Sequence, residues 1–164
     1  MSDPSSLTIL QNSIQERCDA ISVNRDWPCR KGCDRCCRRL PAIPNFTFSE
    51  WRLVYGAYGR LAERVRREIR RRVALLPPVG PITCPFLDSD AALCRIYEAR
   101  PVACRTYVFY RERGLGLFCR EMQALDGQGE WDGVIWGNAA TVEAKLDELG
   151  ERKDMLEWFK FEGA

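Results

Sequence analysis

The sequence predicts a small α+β domain, mainly helical, with one short β-hairpin and a cysteine-lined metal centre. Apolar residues recur at steps of three and four in segments separated by proline and glycine, which is the helical signal. Two brief apolar runs flank the polar turn Asp88-Ser89-Asp90, which is the hairpin signal. Nine cysteines and no histidine give the third indication, because most of those cysteines stand in polar surroundings.

The 164 residues suffice for one domain with a real core and not for two large ones. A single domain over 1–164 is expected, with a metal-binding core at 29–122, an N-terminal helix at 1–24 and an acidic helical region at 123–164. Apolar residues make up 46% and charged residues 29%, a globular balance. The net charge of +2 conceals an asymmetry: residues 1–113 carry 20 Lys or Arg against 12 Asp or Glu, and residues 114–164 carry 5 against 11. Eight of the nine cysteines lie in the basic part.

Taken in order, Leu7, Leu10, Ile14, Cys18 and Ile21 form the apolar stripe of a helix over 5–24. Cys18 lies on that stripe and reads as a packed core thiol, not as part of a site. Asn24 to Pro28 ends the helix. The segment 40–48 is extended, since Pro41 and Pro44 restrict themselves and their predecessors. Ser49 is the expected N-cap of a long helix over 49–76, whose stripe runs Trp51, Val54, Tyr58, Leu61, Val65, Ile69, Val73 and Leu76. Gly56 and Gly59 mark a bend or a close approach within it. The stretch Pro77-Pro78-Val79-Gly80-Pro81 is a stiff connector.

The hairpin follows, with Leu93 to Tyr97 as its second strand, bringing Cys84 and Cys94 together near its open end. Pro101 suits the first turn of a short helix. A glycine turn is expected at Gly114 and Gly116, and a Gly-rich loop at 127–133. Asn138 caps a helix through Leu149, closed by Gly150. A last amphipathic piece runs from Met155 to Phe161.

The run Cys29-Arg-Lys-Gly-Cys33-Asp-Arg-Cys36-Cys37 is too polar for a core, and Gly32 permits a left-handed turn between its first two thiols. A loop bent around an ion accounts for it. With Cys84, Cys94, Cys104 and Cys119 there are eight candidate ligands, enough for two four-thiolate sites or for one such site and a smaller one. Five of the eight are followed by arginine, whose charge suits an anionic thiolate centre. Without histidine, mixed Cys/His zinc sites and Ser-His or Cys-His nucleophile pairs are excluded.

The ordered combination of Cys29-x3-Cys33-x2-Cys36-Cys37, Cys84-Pro85-Phe86-Leu87, Cys94-x-Ile96-Tyr97-x-x-Arg100-Pro101-x-x-Cys104-Arg105 and Cys119 resembles the CxxCxxCC family, often labelled YkgJ-type. Its members are regarded as zinc- or iron-chelating domains. The resemblance implies bound iron, as an iron–sulfur cluster of the 4Fe–4S kind, or zinc. Flagellin lysine N-methylases share a comparable arrangement, which keeps methyl transfer from S-adenosylmethionine among the alternatives. The first spacing departs from the family, with three residues where many members have two. Tyr97, Arg100 and Arg105 are candidates to line the cofactor.

The first three thiols also match the C-x3-C-x2-C of radical S-adenosylmethionine enzymes, but the repeated strand–helix pattern of that barrel is missing. The leading expectation is thus a metal-binding protein with an iron–sulfur cluster and an electron-transfer or oxidoreductase role, served by a protein redox or substrate partner. A zinc-stabilised module presenting the arginine-rich stretch 60–72 to an anionic partner is the alternative. Without interleaved aromatics or a nucleic-acid motif, that stretch reads as a solvated face. No apolar run approaches the length of a membrane span, and the first residues lack a secretory pattern. A cytoplasmic location is expected, where thiols stay reduced and bind metal rather than pair as disulfides.

Overall fold

A computed structural model describes residues 4–77, 81–111 and 119–163. In chain order the elements are α1 (Pro4–Ser22), α2 (Arg35–Arg38), β1 (Asn45–Thr47), α3 (Phe48–Gly59), α4 (Glu63–Ala74), β2 (Leu87–Asp88), β3 (Leu93–Cys94), a 3-10 turn (Tyr97–Ala99) and α5 (Val102–Thr106). They continue with β4 (Tyr110–Arg111), α6 (Arg120–Gly127), β5 (Gly137–Asn138), α7 (Ala139–Glu148), β6 (Arg152–Asp154) and α8 (Met155–Phe161). The class is the expected one: helices dominate and the strands are short. Chain contacts divide the molecule into two compact units, residues 1–30 with 102–149 and residues 31–101 with 150–164.

In the first unit the stripe of α1 buries as its spacing predicts. Leu7, Leu10, Ile14 and Cys18 pack with Val102 on α5 and with Val142 and Leu146 on α7. The Cys18 thiol is a core group whose sulfur reaches the Arg105 carbonyl at 3.7 Å. A second cluster gathers Ile21, Trp27, Val108, Met122 and Trp131, with Trp27 stacked on Phe109 at 5.0 Å and tilted against Trp131 at 4.8 Å. Asn138 caps α7 by accepting from the Ala140 amide at 3.0 Å, as expected. The parallel pairing of β4 with β5 and the helix α6 were not foreseen. The pairing requires Gly137, because a Cβ there would stand 2.4 Å from the Tyr110 ring.

The second unit is built on α3, α4 and α8 around Phe46, Trp51, Val54, Tyr58, Ile69, Val73, Trp158 and Phe159. β1 runs antiparallel to β6 with Phe46 opposite Lys153, so the final helix folds back onto α3. Trp51 is fully buried, stacked at 6.1 Å on Trp158 and edge-on to Phe159 at 5.0 Å. The hairpin forms at β2 and β3, with Leu87 opposite Cys94.

Two expectations for this unit need correction. The helix expected over 49–76 is two helices, broken at 60–62. The apolar stripe is continuous across the break, so spacing alone conceals it. The chain turns after Gly59, and Tyr58 then meets α4 side on: its hydroxyl accepts from Arg70 at 2.8 Å. The N-cap is Thr47, not Ser49. Thr47 and Glu50 form a reciprocal capping box, with the Glu50 amide donating to Thr47 Oγ1 at 3.3 Å and the Thr47 amide to Glu50 Oε2 at 2.9 Å. The connector expected at 77–81 and the turn at Gly114 and Gly116 fall largely outside the described residues. No described helix is long and apolar enough to cross a membrane.

Candidate metal centre

None of the nine cysteines is joined in a disulfide. In the second unit, Gly32 takes φ +96° and turns the chain into Cys33 and then α2, whose single turn carries Cys36 and Cys37. Two backbone hydrogen bonds of 2.9 Å join Leu40 to Ile82, and the Cys84 amide donates to the Cys37 carbonyl at 2.7 Å. That bridge lays Cys84 beside Cys37. The hairpin returns Cys94 to the same place, its register held by the Arg95 amide on the Phe86 carbonyl at 2.9 Å.

The four thiols interact as a group. Cys36 donates to Cys37 and Cys37 to Cys84, and Cys94 acts electrostatically on Cys37 and is acted on by Cys36. Donation to Cys37, with burial added, pushes the Cys36 thiol far above its ordinary value. Cys37 is eased down by accepting from Cys36, but donation to Cys84, burial and the neighbouring sulfurs push it up to about 12. Burial raises Cys94, partly offset by the Ile96 amide and by the charge of Arg100. Cys36, Cys37 and Cys94 therefore hold their protons. Among the described residues, no group of three or more His, Cys, Asp or Glu side chains is placed to hold a metal ion.

In its chemistry, though not in its arrangement, the donor set fits zinc or iron. It is all sulfur, soft, half-buried and supplied with amide donors from Cys37 and Ile96 that favour thiolates. Arg100 stacks on Tyr97 with its guanidinium 3.6 Å from the ring centroid, and its Nε donates to the Tyr97 carbonyl at 3.0 Å. Both thus stand on the turn that follows Cys94.

The remaining sequence candidates divide between the two units. Cys33 belongs to the second unit, while Cys29, Cys104, Arg105 and Cys119 belong to the first. Cys29 and Cys119 flank the Trp27 and Met122 cluster, and Cys104 sits on α5. The arginines that follow cysteines also have other work. Arg38 is paired with Asp34 at 2.6 Å, and Arg95 with Glu68 at 3.0 Å and Asp88 at 3.4 Å. Arg30 reaches Asp26 at 3.6 Å. Carboxylates, which the cysteine–arginine adjacency leaves out of account, take up these three guanidiniums.

Cys94 also lines a cleft of about 590 Å³ between α3 and the segment 93–99. Sequence reading missed this feature. Its only trace in the sequence is Arg52, Gly56 and Arg60 at steps of four, one face of α3.

A family model described as “CxxCxxCC: Putative zinc- or iron-chelating domain” matches residues 28–126. No curated protein and no solved structure matches the chain.

Proposed function

The chain belongs to the CxxCxxCC family, and on that premise we propose that its metal is held by the thiolates of Cys36, Cys37, Cys84 and Cys94 and serves electron transfer. The observation that carries this reading is that three separate chain segments bring these thiols near enough to shift one another's ionisation, through the Cys84 amide on the Cys37 carbonyl and the hairpin register. We take an iron–sulfur cluster over zinc because electron transfer needs access for a partner, and Cys94 lines an open cleft. When bound, such a cluster supplies one-electron chemistry. Arg100, whose charge reaches Cys94, offsets the negative charge of the thiolates, and the amides of Cys37 and Ile96 direct hydrogen bonds at sulfur. The basic-module alternative loses support because Arg66 and Arg70 pair with Glu63 and Arg72 with Glu68, leaving fewer guanidiniums for a partner.

The test is metal and sulfide analysis of protein purified without oxygen. Iron with acid-labile sulfide and a broad visible absorption that bleaches on reduction is expected. Colourless protein holding zinc alone would overturn the redox reading.

A further inference from the structure

The cleft beside Cys94 combines charge and apolar surface in a way the metal centre does not require. The wall formed by α3 and its C-cap residue presents Arg52 and Arg60 with Gly56 between them, and the Arg60 guanidinium lies 3.8 Å from where a Gly56 Cβ would stand. Leu53, 46% exposed, and Leu93, 37% exposed, supply open apolar lining. The other two cations of the cleft are committed: Lys31 to Glu98 at 3.2 Å, and Arg95 to Glu68 and Asp88. Arg52 touches only the Phe48 ring, at 5.9 Å, and among the described residues neither Arg52 nor Arg60 has a carboxylate partner. Two unneutralised guanidiniums over an apolar floor suit an anionic head on an apolar body, and the volume is that of a small-molecule site.

We propose that this cleft binds a small organic anion, its carboxylate, phosphate or sulfonate held by Arg52 and Arg60 and its apolar body laid against Leu53 and Leu93. The ligand then lies beside Cys94, in place to be the small-molecule substrate or reporter of the thiol group. The residues that hold it are not among the proposed metal ligands, so the site stands whether the metal is iron, zinc or neither.

The probe is 8-anilinonaphthalene-1-sulfonate, titrated by fluorescence into the full-length protein, with the uncharged N-phenyl-1-naphthylamine for comparison. One saturable site per chain is expected, with weaker binding of the uncharged dye. Arg52→Gln and Arg60→Gln together should weaken the sulfonate at least about tenfold, the worth of one good charge-assisted contact. Gly56→Leu fills the cleft while replacing a helical glycine with a better helix former, so it should abolish binding and leave the melting temperature unchanged or raised. Arg67→Gln, on α4 and outside the cleft, should bind as the wild type does. No saturable binding, or binding that survives Gly56→Leu or the paired glutamine change, would overturn the proposal.

Discussion

Replacing Thr47 with valine tests how α3, which carries one wall of the cleft, is anchored. Thr47 is fully buried, and valine matches its shape without the hydroxyl. The change removes two contacts: the Thr47 hydroxyl donating to Glu50 at 3.0 Å, and the Glu50 amide donating to Thr47 at 3.3 Å. The Thr47 amide keeps its 2.9 Å bond to Glu50, so half of the box survives. Losing an N-cap costs about 1 kcal/mol, and a buried polar contact left unmade adds about 1 kcal/mol more. The sum of about 2 kcal/mol corresponds to a fall in melting temperature of about 4–8 °C for a chain of this size. Calorimetry of the full chain reads it directly. Thr47→Ser provides the control: it keeps the hydroxyl and loses one methyl group, about 1 kcal/mol, so it should melt between the two. A valine variant that melts with the wild type, or above the serine variant, would refute the capping account.

Further perturbations address the other packing and charge claims. Gly137→Ala forces a Cβ against the Tyr110 ring, and overpacking of this kind should cost about 1–3 kcal/mol in a urea melt; an alanine variant as stable as the wild type would contradict the close approach of β4 and β5. The Glu68 carboxyl is held below its ordinary range by its hydrogen bond from Arg95 and by the charges of Arg72, Arg95 and Arg64. A depressed carboxyl stabilises above its unfolded value and loses that contribution as pH falls through its folded value. Glu68→Gln should therefore be less stable than the wild type at neutral pH, with the gap closing in acid; a pH-independent gap would remove the ionic explanation. Because Cys36, Cys37 and Cys94 hold their protons tightly, metal uptake should release protons, measurable in weakly buffered solution, and binding should weaken as pH falls.

Much of the architecture was legible because local chemistry agreed with the fold. The α1 stripe, the Asn138 cap, the hairpin around Asp88-Ser89-Asp90 and the last helix all formed where residue spacing placed them. What stayed hidden depended on distant partners. The break at 60–62 interrupts no pattern, since Tyr58, Leu61, Val65 and Ile69 keep helical spacing across it. β1 finds its partner more than a hundred residues away, in strands too short to show alternation. The cysteines could be recognised as a set, yet which of them share a neighbourhood follows from the Leu40–Ile82 bridge and the hairpin register, neither of which is written in the cysteine spacing. The cleft likewise needs α3 and the segment after β3 to face each other.

Metal per chain in cysteine variants purified without oxygen is the most direct probe of the shared thiol site. Cys37 is the middle of the sulfur chain, accepting from Cys36 and donating to Cys84. Cys37→Ala and Cys84→Ala should each lose the metal of that site, while Cys18→Ala, a core thiol buried in the other unit, should keep it even if it melts earlier. A Cys37→Ala protein that retains the full wild-type metal content would contradict the assignment of the centre to Cys36, Cys37, Cys84 and Cys94.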